Sequence, residues 1–264
     1  MAERSKYETL LTEKRDGVLW ISLNRPHRMN ACNLDLVEEM STALDEAEAD
    51  SEVRCVVLRG EGDRAFSVGA DLTIFVGLDP EMAIAVSRKG QRLMDKIEAS
   101  SKPFIAAIHG FCLGGGLEMA MACDFRVAEE SAQFGSPEIN LGIIPGWGGT
   151  QRLSKFVGLA KAKELVFLGD RVDAGEALRL GLVHKVVPVG KLQEEAGALA
   201  ERLAAGPPVA LRVAKRAMNF GTQLTLEEGL NMEAESFGVL ANTEDIVEGI
   251  SAFFEKRKPK FKGE

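Results

Sequence analysis

The stretch from residue 104 to residue 123 constrains the fold most. It opens with Phe104–Ile108, a short apolar run that reads as a buried strand. Through Leu113-Gly114-Gly115-Gly116 it enters Leu117–Cys123, a helical segment with almost no polar face, interrupted only by Glu118. A helix that is apolar all round must be covered by other elements. A strand feeding such a helix through glycines points to a layered α/β chain rather than an all-β or all-α one. His109, the three glycines and Glu118 also break the stretch as a membrane span.

The same alternation extends in both directions. Tyr7–Lys14 and Val18–Leu23 read as strands around Asp16-Gly17, a hairpin signal. Asn33 is placed to cap a helix through Leu44, Val53–Leu58 reads as a buried strand, and Pro80–Ala99 reads as a helix with Val86, Leu93, Met94 and Ile97 inward. Phe125–Ala128 and Gln133-Phe134 read as short strands. Asp173 with Glu176 resembles a capping box, and Val183–Val187 reads as the last strand. Beyond it the pattern is helical: Lys191–Ala205, then helices starting at Pro207-Pro208, at Thr225 with Glu228, and after Thr243. We therefore expect a core over 1–195 and a helical region over 196–264.

With 264 residues the chain can bury a full core. Its net charge of −8 makes a nucleic-acid partner unfavourable, because that affinity depends on neutralising phosphates. Cys32, Cys55, Cys112 and Cys123 are scattered without metal or disulfide spacing, and the charged amino terminus does not resemble a secretory leader. The expectation is a cytoplasmic protein with reduced thiols, no nucleic-acid partner and no membrane association.

Four features can carry chemistry. Gly114–Gly116 precede a helix, where unpaired N–H groups can hold an anion or a developing oxyanion; the same glycines also suit a tight, closely packed turn. Glu118, in the first turn of an apolar helix, is either dipole-stabilised or buried, and burial would raise its pKa towards the general-base range. Glu138, in Phe134-Gly135-Ser136-Pro137-Glu138-Ile139, reads alone as a loop glutamate. Pro145-Gly146-Trp147-Gly148-Gly149-Thr150-Gln151-Arg152 is a second glycine-rich loop feeding a helix. His27, His109 and His184 form no triad pattern, and no GxSxG elbow is present.

Taken in order, these segments resemble the crotonase, or enoyl-CoA hydratase/isomerase, superfamily. The likeness runs from Leu23-Asn24-Arg25-Pro26 and Met29-Asn30-Ala31 through Ala65–Leu72, His109–Glu118, Phe134–Glu138 and Gly142 to Pro145–Leu153, and ends with Phe253–Arg257 and Pro259-Lys260-Phe261.

The resemblance implies an α/β spiral of ββα units and a helical carboxy-terminal region that drives trimerisation, often to a dimer of trimers. It implies an acyl-CoA thioester substrate and no metal or redox cofactor. It maps an oxyanion hole onto the backbone N–H groups of Ala70 and Gly115, and the catalytic glutamates onto Glu118 and Glu138. Substrate contacts fall on Ala70, Asp71, Leu72, Gly115, Gly146 and Trp147. Having both glutamates favours reversible hydration of a short-chain enoyl thioester. Dehydration of 3-hydroxypropionyl-CoA is the same chemistry reversed; double-bond isomerisation and a non-catalytic, RNA-associated relative are the other readings. Trp147 either shortens the acyl pocket or packs outward. The cationic run Lys256–Lys262 is a candidate for the phosphates of CoA.

Overall fold

The computed structural model describes residues 6–264; the first five residues of the charged amino-terminal stretch lie outside the described residues. In chain order the elements are β1 (Leu10–Arg15), β2 (Val18–Leu23), α1 (Leu34–Ala49), β3 (Cys55–Gly60), β4 (Ala65–Ser67), α2 (Pro80–Ala99), β5 (Phe104–Ile108), β6 (Phe111–Leu113) and α3 (Gly115–Ala122). They continue with β7 (Phe125–Glu129), β8 (Gln133–Gly135), α4 (Gly149–Leu168), β9 (Arg171–Asp173), α5 (Ala174–Arg179), β10 (Lys185–Val187), α6 (Leu192–Ala204), α7 (Pro208–Gly221), α8 (Leu226–Leu240) and α9 (Glu244–Glu255).

Two sheets form, and the chain visits them alternately. One is ordered β1-β2-β3-β5-β7-β10 and the other β4-β6-β8-β9. The units β3-β4-α2, β5-β6-α3 and β7-β8-α4 each place one strand in each sheet and then a helix, so every turn advances both sheets by one strand. The pairings between successive turns are parallel. This is the expected spiral of ββα units. The antiparallel exceptions are the β1–β2 hairpin and β8 with β9. Asp16 and Gly17 both have positive φ, which a tight hairpin of matching twist requires.

Parallel strands here are buried on both faces. Val56, Leu58 and Ile108 face the main core with α1, α2 and α3, whereas Cys55, Val57, Ile105 and Ala107 meet Ala196, Ala200 and Ala204 of α6. Small residues on α6 let it lie close against the sheet. Residue 195 thus falls within a helix that packs on the sheet. The helices α7 to α9 have no residues in either core cluster. Lys215 ties α7 down: its ammonium donates to the Ile97 and Lys102 carbonyls and to Asp124.

Several boundaries differ from expectation. β1 starts at Leu10 rather than Tyr7, because Tyr7 turns its hydroxyl to Glu46 on α1. The last strand covers only Lys185–Val187, since Leu182 and Val183 bond back to Ala177. Asp173 caps α5, but the Glu176 carboxylate pairs with Arg179 instead of closing the box.

Candidate active site

Two loops and the start of α3 converge on one cavity of ≈ 470 Å³. One loop follows β4. Ser67 anchors it: its hydroxyl donates to the Asn30 carbonyl at 2.8 Å and accepts from Gly69 N at 3.1 Å. Cys32 N donates to Gly69 O and Asp71 N to Cys32 O, which leaves the intervening Ala70 N–H outside that ladder. Gly69, at φ +94°, lies so close to α3 that a Cβ would stand 2.7 Å from Gly115 N; only glycine brings the two segments together. A Cβ on Gly115 would stand 3.3 Å from Ala70 N. The Ala70 amide and the first N–H of α3 are therefore neighbours, a geometry suited to holding one developing negative oxygen.

Asp71 and Leu72 then part ways. Leu72 lines the cavity, but Asp71 is not in its wall. The Asp71 carboxylate accepts from Thr73 and pairs with Arg25 at 3.0 Å, which holds its pKa below the usual range despite partial burial. Its place in the structure is beside the Ala70 amide, as a brace.

Glu118 sits one turn into α3 and is only 2% exposed. Its Oε1 accepts from Trp147 N at 2.8 Å and Gly149 N at 2.6 Å. Burial raises its pKa to about 7; the charge of Glu138 adds to this, while the two amides and Arg152 oppose it. Glu138 lies in a 3₁₀ turn, Pro137–Leu141, that ends at Gly142 with φ +74°. Burial raises its pKa as well, and its Oε2 is enclosed with no hydrogen-bond partner among the described residues. Glu118 and Glu138, twenty residues apart, share the cavity wall.

The loop before α4 completes the wall. Gly146 lines the cavity beside Trp147, whose ring points inward and is 4% exposed. The ring fills space left by two glycines: a Cβ on Gly90 would come within 2.2 Å of it, and one on Gly115 within 2.8 Å. Of the two readings of Trp147, packing outward is excluded. Arg152 clamps the loop from below by donating to the Trp147 carbonyl and to Asp95 and Glu98 of α2.

Most of the remaining wall is apolar and includes Phe75, Val86, Leu141, Ile143 and Ile144. An apolar pocket with a few converging polar groups is typical of a small-molecule site. Sequence reading missed Ser87, which lines the cavity and donates to Gly146 O at 2.6 Å. Its only signal was its place next to Val86 on a helix face. Among the described residues, no group of three or more His, Cys, Asp or Glu could hold a metal ion, and no helix is long and apolar enough to cross a membrane.

The cationic run Lys256–Lys262 is partly committed elsewhere. Arg257 pairs with Glu248 and Glu255, the Lys260 amide donates to Glu248, and the Lys262 and Gly263 amides donate to Asp245. The ammonium groups of Lys256, Lys258 and Lys260 are on the exposed side of this packed tail.

Residues 13–264 match the family profile described as enoyl-CoA hydratase/isomerase. The chain is 43% identical over 253 residues to a short-chain-enoyl-CoA hydratase of Clostridium acetobutylicum, covering 94% of this chain and 95% of that one. It is 42% identical over 255 residues to a crotonyl-CoA hydratase of Syntrophomonas wolfei, covering 97% and 98%. It also superposes on the crystal structure of an enoyl-CoA hydratase from Bacillus anthracis with a TM-score of 0.94, at 42% identity, over 97% of this chain and 100% of that one.

Proposed function

The chain belongs to the enoyl-CoA hydratase/isomerase family, and from that premise we propose that it adds water reversibly across the α,β double bond of a short-chain enoyl-CoA thioester, giving the 3-hydroxyacyl-CoA. The observation that carries this reading is two carboxylates, the buried Glu118 and the half-buried Glu138, facing one apolar cavity beside a pair of backbone N–H groups.

Attack of water at Cβ pushes charge through the conjugated system onto the thioester oxygen. The Ala70 and Gly115 N–H groups stabilise that charge as it develops; one such donor is typically worth ~10²–10³ in rate. Glu118, poised near neutrality, takes the proton from water, and Glu138 delivers one to Cα. Elimination runs through the same states in reverse. A carboxylate with a pKa of about 7 suits this exchange because it can give and take protons at working pH. The reaction needs no group beyond the chain's own carboxylates and amides, and coenzyme A arrives as part of the substrate.

We assign the short acyl length to the inward Trp147 ring. The helices beyond the core are assigned to self-association in trimers or pairs of trimers. Phe237, Phe253 and Phe254 are each at least 73% exposed there, an apolar surface that a neighbouring copy would cover. The four thiols are free, buried and pushed to high pKa, which fits a reducing, cytoplasmic setting.

Crotonyl-CoA hydration, followed as loss of the conjugated thioester absorbance, tests the reading. A panel of C3–C10 enoyl- and 3-hydroxyacyl-CoA thioesters with product identification separates hydration from isomerisation. A folded sample with no turnover on any member would overturn it.

A further inference from the structure

Helix α2 meets the site in two ways. Ala83 and Val86 form part of the apolar wall. Ser87, the next residue, donates its hydroxyl to the Gly146 carbonyl at 2.6 Å, and Gln91, one turn on, donates to the same oxygen at 3.1 Å. That carbonyl and the Trp147 N–H belong to one peptide group, and the N–H donates to Glu118 Oε1 at 2.8 Å. The peptide is planar, so a fixed oxygen fixes the direction of its N–H. A hydrogen bond accepted by the oxygen also polarises the amide and strengthens the bond that the N–H donates. An unbroken relay therefore runs from Ser87 O–H through O=C–N–H to Glu118 Oε1.

We propose that Ser87 is a positioning residue for the hydration step: through the Gly146–Trp147 peptide it holds Glu118 Oε1, and so ties the seating of the acyl chain against α2 to the alignment of Glu118. The inference rests on the proposed reaction for its kinetic consequences, but not for the relay itself. The charged groups that face Glu118 are Glu138 from the 3₁₀ turn and Arg152 from α4, the latter paired with Asp95 and Glu98 of α2. Replacing Ser87 changes none of them.

The test compares Ser87→Ala, the double variant Ser87→Ala/Gln91→Leu, and Ser87→Thr. Removing the donors is expected to lower kcat for crotonyl-CoA about tenfold, the size of one hydrogen bond, with KM within about twofold. The acid limb of kcat/KM should move up by about half a pH unit, because a weaker N–H donor stabilises the carboxylate less. Ser87→Thr should restore both. In parallel, the Glu118 carboxyl is titrated by infrared spectroscopy without substrate, its band assigned by loss in Glu118→Gln; its midpoint should rise with the kinetic limb. An unmoved midpoint in the double variant would overturn the inference, as would lost activity that threonine does not restore. If the unsubstituted protein hydrates no enoyl thioester while the midpoint still moves, the reaction assignment fails and the relay to Glu118 stands.

Discussion

Glu118→Gln should separate catalysis from stability. The side chain is buried, and its pKa of about 7 lies well above the 4.5 of an exposed glutamate. A raised carboxyl pKa means that the folded state binds its proton more tightly than the unfolded state does. Folding therefore gains nothing from this group's charge. Stability falls as pH rises from 4.5 through 7 and stays reduced above, by a little over 3 kcal/mol, about 2.5 pH units at 1.36 kcal/mol each. Glutamine has the same shape and its carbonyl can still accept from Trp147 N and Gly149 N, but it carries no charge to desolvate. The variant should thus be more stable than the parent at pH 8, with a Tm about 5 °C higher for a chain of this size, and nearly equal to it at pH 5. Its kcat for crotonyl-CoA should fall roughly 10²-fold or more, because an amide cannot accept the proton from water, with KM within about tenfold. Paired thermal unfolding at the two pH values and steady-state kinetics read both effects. A Tm equal to or below the parent's at pH 8 would refute the burial argument; near-normal kcat would refute the base.

Other substitutions probe the remaining parts. Glu138→Gln should also lower kcat by roughly 10²-fold, and an unchanged rate would remove it from the chemistry. In the parent, kcat/KM should decline as pH drops through about 7, where Glu118 takes up its proton; a profile flat to pH 5 would contradict this. Trp147→Ala opens the space between Gly90 and Gly115 and should raise the C10-to-C4 ratio of kcat/KM, so an unchanged ratio rejects Trp147 as the length stop. Replacing Lys258 and Lys260 together by alanine should raise KM for crotonyl-CoA, more at low salt, and leave crotonyl-pantetheine unaffected. An equal effect on both thioesters would make the lysines structural.

Local chemistry was legible in the chain before any fold was known. Asp16-Gly17 specified a hairpin, Asn33 caps α1 through Leu36 N, and Thr225 with Glu228 forms the reciprocal box that starts α8. Each depends on atoms a few residues apart, and the alternation of buried strands with helices follows from side-chain period in the same way. Resemblance in ordered motifs added the candidate site residues, which spacing alone could not join. The tertiary structure decided what depends on distant segments. β9 forms by pairing with β8 across the intervening residues 136–170. Trp147 turns inward because Gly90, in a helix far along the chain, leaves room for its ring. Asp71 is paired with Arg25, 46 residues away along the chain. Glu118 owes its high pKa to burial by elements that the spiral winds around it. Desolvation and convergence are properties of the packed whole, so a sequence window around Glu118 contains the carboxylate but not the environment that raises its pKa.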